Sequence, residues 1–338
     1  MKTKLLTIEQ CKEAGAILKK GGLVGIPTET VYGLAANALD GKAVAKIFEA
    51  KGRPQDNPLI VHIAELSEIE DLVAYVPPMV YDLADAFWPG PLTIILDKSE
   101  IIPDEVSAGL DTVAIRMPSH PVAREIIKAS GVPLAAPSAN TSGKPSPTTA
   151  AHVMHDMDGK IDAVVDGGPC SVGVESTVIT LATRKPRLLR PGRVTPEEIE
   201  EVLGCELEID DAVLGILKEG VRAASPGMKY KHYSPSSDVF VVKGDFEHFK
   251  SFVEKKATEN SSVAALVFDG EKLSCRTLYF GEEDDDLAHA AKLFDALRTC
   301  DDEGVKELYV RCPSSDGVGL AVMNRLLRAA EFKIIEDL

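Results

Sequence analysis

Lys51 and Arg53 stand one residue apart in A-K-G-R-P, are stopped by Pro54, and are followed by the apolar run P-L-I-V-H-I-A. Two such side chains can grip one anion, the guanidinium as a planar fork and the ammonium as a point charge. The pair stands out in a chain with 37 Lys+Arg against 53 Asp+Glu and a formal net charge of -16. Alone it would be a common surface feature of a helix C-terminus, where cations suit the dipole. Its company gives it chemistry. Three other stretches, GLVGIPTETVYGL, TVAIRMPSHP and PLAAPSANTSGKPSPTT, run from apolar residues into hydroxyl and amide side chains. Strand ends that open into such loops line pockets in α/β proteins. Thr28, Thr30, Arg116, Ser138, Asn140 and Ser146 are the candidates to face Lys51 and Arg53 across such a pocket.

Familiar phosphate and metal signatures do not explain these residues. There is no G-x-x-x-x-G-K-[ST] loop, and the late Gly317-Val318-Gly319 lacks the third glycine of a dinucleotide fingerprint. His152, His155, Asp156 and Asp158 imitate a metal cluster without a third histidine nearby, and Ser138 in A-P-S-A-N is no nucleophile elbow. The six cysteines include no C-x-x-C pair, which argues against a zinc ribbon and fits reduced thiols in a cytoplasm. No run approaches the roughly 20 apolar residues of a membrane span, so a soluble protein is expected. An acidic balance in both halves disfavours nonspecific nucleic-acid binding, whose affinity comes from Lys and Arg on phosphates.

The elements that must position these groups follow from hydrophobic period and punctuation. Residues 8–20 read as an amphipathic helix closed by Gly21-Gly22, and a second helix spans about 40–51. GLVGIPT, PLIVHIA, PLTIILDK, TVAIRMP, VPLAAPSAN, IDAVVDGG, STVITLA and RLLRPG read as strands. Several follow one another by turns too short for a crossover helix, which predicts an α/β domain on a twisted, mixed sheet. Around 206–236 periodicity is lost, and this stretch reads as a linker. Beyond it strands and helices alternate, predicting a smaller, Rossmann-like, mostly parallel α/β domain. The expected domains are therefore 1–205, a linker or lid at 206–236, and 237–338.

K-x-R (Lys51, Arg53), S-x-N (Ser138, Asn140), PTETVYGL and the linker H-Y-S-P, taken in order, resemble the YrdC-type threonylcarbamoyl-AMP synthases in their long, two-domain form. The resemblance covers nearly the whole chain. It implies synthesis of L-threonylcarbamoyl-AMP from L-threonine, bicarbonate and ATP with release of pyrophosphate, the first step of a tRNA adenosine modification. It also implies Mg2+ carried with the ATP, and downstream tRNA-modifying transferase proteins as partners. Catalytic roles fall on Lys51, Arg53, Ser138 and Asn140. The ATP side takes Lys51, Arg53, Asn57, Thr112, Ser138, Ser146, Arg190 and Tyr230 or Tyr233, although Arg193 is as good an inward candidate as Arg190 from sequence. The threonine side takes Thr30, His62, Arg116, Ala136 and Ser176, with Arg116 on the carboxylate. Both partners of the reaction are anionic, so positioning and fixed positive charge should supply most of the catalysis. Two other readings are carbamoyl transfer, which lacks its zinc-finger cysteines here, and an inactive RNA-binding module, which lacks a basic stripe.

Overall fold

A computed structural model describes residues 2–213, 215 and 233–336. Over these, the chain divides into two compact units, one within Met1–Ser142 and Ser146–Lys229, the other within Gly143–Pro145 and Tyr230–Leu338.

The first unit carries strands β1 (Lys4–Leu6), β2 (Val24–Ile26), β3 (Gly33–Asn37), β4 (Ile60–His62), β5 (Leu92–Asp97), β6 (Thr112–Arg116), β7 (Leu134–Ala135), β8 (Ala163–Val165), β9 (Thr177–Thr180), β10 (Arg187–Arg190) and β11 (Glu208–Ile209). Its helices are α1 (Cys11–Lys19), α2 (Gly41–Lys51), α3 (Ile69–Leu72), α4 (Pro78–Phe87), α5 (Asp104–Ser107), α6 (Pro121–Ser130), α7 (Ala150–Met157) and α8 (Pro196–Leu203). Among the described residues the strands form one sheet in the order β1-β8-β2-β3-β7-β4-β6-β5-β9-β10-β11. Parallel pairs such as β4 with β6 alternate with antiparallel ones such as β3 with β7 and β5 with β6, the mixed sheet that the short connections predicted. The apolar faces of α1 and α6 close over one part of it, where Leu18, Ile126, Ile127, Val24 and Ile26 form a buried cluster.

Two local devices decide where the cationic pair lies. Asp40 caps α2, its carboxylate accepting from the amides of Lys42 and Ala43, and Gly52 ends the helix in the left-handed region at φ 63°. Lys51 is therefore the last helical residue, and the chain turns at once toward Asn57 and β4. Antiparallel pairing of β4 with β7 sets Val61 opposite Ala135 and His62 opposite Leu134. Beyond β7, Ser138 bridges back to Gly33, so the S-x-N loop leaves the sheet beside the loop that precedes β3.

The second unit has β12 (Asp238–Val242), β13 (Val263–Val267), β14 (Arg276–Tyr279), β15 (Glu307–Arg311) and β16 (Ile334–Ile335), with helices α9 (Phe246–Glu259), α10 (Asp286–Asp302) and α11 (Gly319–Ala329). Its order is β14-β13-β15-β12-β16, and each pair is parallel. Val263 to Val267 read as one apolar run because a parallel strand is covered on both faces.

The candidate nucleotide and amino-acid site

Lys51 is 3% exposed despite its charge. Its ammonium donates to the Ser138 carbonyl, to the Asn140 carbonyl at 2.7 Å and to Asn140 Oδ1 at 3.4 Å, while the Ser142 amide donates back to the Lys51 carbonyl at 2.9 Å. Within the S-x-N loop, Ser138 Oγ donates to Asn140 Oδ1 at 2.6 Å, and Asn140 Nδ2 donates to the Thr141 carbonyl at 2.8 Å. The two motifs that the sequence places far apart are thus one assembly. The sequence reading treats Lys51 as a mobile head for an anion. The structure gives that head loop acceptors as well, so it shapes the loop and supplies charge from the same atom. Arg53 is half-buried, with its guanidinium 5.9 Å from the Phe48 ring centroid, and Asn57 is fully buried.

β4 and β6 separate two groups of candidates. Their register pairs Ile60 with Ala114 and His62 with Arg116. Asn57 precedes β4 and Thr112 opens β6, so both lie at one end of this strand pair, and Ser138 leaves β7 on the same side. His62 and Arg116 lie at the other end, four residues or roughly 13 Å of strand away. Ala136 sits between, its amide donating to the Ile60 carbonyl at 2.9 Å.

At that second end Arg116, 4% exposed, is held on every side. Its Nη1 donates to Thr30 Oγ1 at 2.9 Å, its Nε to the Gly90 carbonyl at 3.3 Å, and its Nη2 lies 2.7 Å from Glu29 Oε1. Thr30 Oγ1 is 2.9 Å from Thr28 Oγ1, which donates to the Val31 carbonyl at 2.5 Å. Protons therefore run in one direction, from Arg116 through Thr30 and Thr28 to the backbone. Burial alone would raise the Glu29 carboxyl, but the Arg116 guanidinium outweighs it and holds the group below its usual range. His62 feels burial first and the neighbouring guanidinium second, and both push it down to about 3, so its ring is neutral at physiological pH.

A third group gathers at the far strands. Ser176 Oγ lies 2.7 Å from Thr93 Oγ1 and accepts from Arg190 Nη2 at 3.1 Å, while Arg190 Nε donates to the Ser176 carbonyl at 3.0 Å. Arg190 is buried at the end of β10, whereas Arg193 is 38% exposed and 3.6 Å from Glu198. The strap that follows can lie this close only because of Gly192, where a Cβ would come within 2.3 Å of the Thr177 nitrogen. Ser146, fully buried, donates to Glu175 Oε1 at 2.5 Å.

Of the remaining candidates, Tyr230 lies outside the described residues. Tyr233 belongs to the second unit, where its buried ring packs 5.2 Å from that of Phe294. A cavity of about 360 Å3 is bordered by Glu29, Trp88, Ser119, Ser171 and Arg193, and of the residues offered for the site only Arg193, the alternative to Arg190, lines it. Glu29 links it to Arg116. Two buried acids, Glu29 and Glu175, are not among the residues expected from sequence. Their signal is legible in retrospect: each is a lone carboxylate in an apolar or small-residue stretch, directly before a candidate hydroxyl, Thr30 or Ser176.

A family model described as "Telomere recombination" matches residues 16–192, and one described as "Threonylcarbamoyl-AMP synthase, C-terminal domain" matches residues 194–331. The threonylcarbamoyl-AMP synthase of Pyrococcus abyssi is 48% identical over 326 residues, 96% of this chain and 94% of the relative. That of Bacillus subtilis is 46% identical over 331 residues with the same coverage of each. The crystal structure of P. abyssi Sua5 complexed with L-threonine matches with a TM-score of 0.94 at 45% identity, covering 100% of both chains.

Proposed function

The chain belongs to the threonylcarbamoyl-AMP synthase family, and we propose that it makes L-threonylcarbamoyl-AMP from L-threonine, bicarbonate and ATP, releasing pyrophosphate. The observation that carries this reading beyond family membership is the joining of Lys51 to Ser138 and Asn140 in a buried cluster.

The reaction begins with the amine of threonine and bicarbonate, which give a carbamate and water. A carbamate oxygen then attacks the α-phosphate, a P–O bond to that phosphate forms, and the bond to pyrophosphate breaks. Attacker and target both carry negative charge, so the protein has to lower their repulsion and align them rather than form a bond of its own. Lys51 and Arg53 provide the fixed charge, and charge-assisted hydrogen bonds of this kind contribute roughly 1.5–3 kcal/mol each. The Lys51 amine also holds the S-x-N loop in the shape that presents Ser138. Asn57 and Thr112 extend the nucleotide side from the same ends of β4 and β6. Arg190, which also donates to Ser176, and Ser146 complete the nucleotide side. On the amino-acid side Arg116 takes the carboxylate, Thr30 and Ser176 the polar groups, and the neutral ring of His62 borders the pocket beside Ala136.

Mg2+ enters in this reading as the counter-ion of the triphosphate. Among the described residues no group of three or more His, Cys, Asp or Glu forms a cage, and Glu29 and Glu175 are engaged by Arg116 and Ser146. The donors do not fit a protein-held cation, so no step is routed through one. The product, an acyl adenylate, calls for a downstream transferase that moves its acyl group onto tRNA.

The test is direct. The protein is incubated with ATP, bicarbonate and one amino acid at a time, and pyrophosphate release is measured alongside mass detection of the adenylate. Formation of the adduct with threonine and a requirement for bicarbonate support the reading. Pyrophosphate release that ignores both would refute it.

A further inference from the structure

We infer that Glu29 is a positioning residue for the amino-acid subsite, orienting Arg116 so that two of its N–H groups remain aimed at the substrate carboxylate. This rests on the proposed role of Arg116.

A guanidinium has five N–H groups in one plane. Thr30 Oγ1 and the Gly90 carbonyl accept hydrogen bonds from Nη1 and Nε at 2.9 and 3.3 Å, and Glu29 Oε1 lies 2.7 Å from Nη2 as an ion pair outside hydrogen-bond geometry. The two hydrogen bonds fix the plane, and the carboxylate charge beside the third nitrogen resists its rotation. Three N–H groups, one on Nη1 and two on Nη2, make no hydrogen bond to the protein, enough for the bidentate contact that a carboxylate makes. Of the three anchors only Glu29 carries charge, and it makes the shortest contact. Without it, the guanidinium would pivot about Nε and Nη1.

A purely structural role explains the pair less well. Glu29 is 6% exposed, and its partner is as buried. Taking both charges from water costs several kcal/mol each before their attraction is counted, so a buried pair is a poor device for stability alone. Its effect here is on geometry and on charge. Set against Arg116, Glu29 leaves the subsite close to neutral, which suits a zwitterionic amino acid. A lone buried guanidinium would instead draw the phosphates of the neighbouring nucleotide side. The Glu29 carboxyl is held ionised by the same contact, so the pairing persists throughout the pH range of an ordinary assay.

The test is a double-mutant cycle read as KM against kcat on the full chain. Glu29→Gln keeps shape and one acceptor while removing the charge. It is expected to raise the threonine KM at least tenfold while kcat and the ATP KM stay within about threefold. In an Arg116→Met background the same change should add less than twofold, because there is no guanidinium left to orient. An unchanged threonine KM in Glu29→Gln would overturn the inference, as would a loss spread equally over kcat and both KM values, or full additivity with Arg116→Met. If Glu29→Gln does not fold, Glu29→Asp retains the charge but retreats by one methylene, and a threonine KM equal to wild type in that variant overturns the inference equally. The underlying reading fails separately. An Arg116→Met variant with wild-type threonine KM removes Arg116 from the subsite whatever Glu29 does.

Discussion

Replacing Lys51 by Met separates charge from shape. Met fills much of the same volume and removes the donor. The Ser138 and Asn140 carbonyls then lose the ammonium that binds them, and the Asn140 side chain loses a weaker partner at 3.4 Å. A buried acceptor left without a donor costs about 1–3 kcal/mol. The Ser138 carbonyl would set the loss at roughly 1–3 kcal/mol, and relief from burying an ammonium offsets part of it. A net destabilisation of about 1–2 kcal/mol is expected, which in a unit of this size lowers Tm by roughly 2–8 °C. Activity should fall further than stability. The S-x-N loop would shift, a misplacement of about 1 Å can cost around 100-fold, and a charge-assisted contact to the anion disappears as well. The assay pairs thermal melts with threonine- and bicarbonate-dependent pyrophosphate release. A Lys51→Met protein with wild-type Tm and turnover would refute the reasoning outright. Lost turnover at wild-type Tm would leave Lys51 its charge but deny it the loop.

Arg53→Ala should abolish pyrophosphate release while moving Tm by no more than about 2 °C, since the side chain is only half-buried and its loss is a surface-like change; a variant that stays active removes Arg53 from the mechanism. His62, titrating near 3 in the folded chain against 6.5 when unfolded, binds protons more readily in the unfolded state between those values. The stability it contributes is full above pH 6.5 and is lost as pH falls toward 3, about 2 kcal/mol between pH 7 and pH 5. His62→Gln should lack that slope, and parallel stability curves for the two proteins would contradict the assignment. A chain ended at residue 205 loses β11, the 2.9 Å Arg187–Glu208 pair and the buried Ala212 and Val213. It should therefore melt below a chain ended at residue 213, and equal melting would show that this edge contributes nothing.

Much of the scaffold is legible in residue order because its causes are local. Helix α2 ends where it does through Asp40 at one end and Gly52 with Pro54 at the other, all within one short segment. The apolar runs of β4, β5, β6 and β9 read directly as strands. By contrast β3 (Gly33–Asn37), which starts at the end of PTETVYGL and runs past it, goes unread, since Gly-Leu-Ala-Ala-Asn has neither β-branching nor alternation, and it is a strand only because β2 and β7 flank it. The short β1, β11 and β16 are likewise made by their neighbours. K-x-R and S-x-N were recognisable as a pair through resemblance, yet nothing in either motif says that the Lys51 amine ends on the Asn140 carbonyl, 89 residues on.

Composition and period, which act over a few residues, were enough to specify an acidic α/β chain with a mixed-sheet unit, a parallel unit, and an anion-handling motif at one helix end. Contacts between segments decided the rest. Strand register put His62 beside Arg116, burial made that histidine neutral, the close approach that Gly192 permits brought Arg190 onto Ser176, and Glu29 became the partner of a guanidinium 87 positions away. Such pairings depend on which loops the sheet order brings together. A side chain's charge and hydrogen-bonding partners are set by that enclosure, which no local pattern encodes.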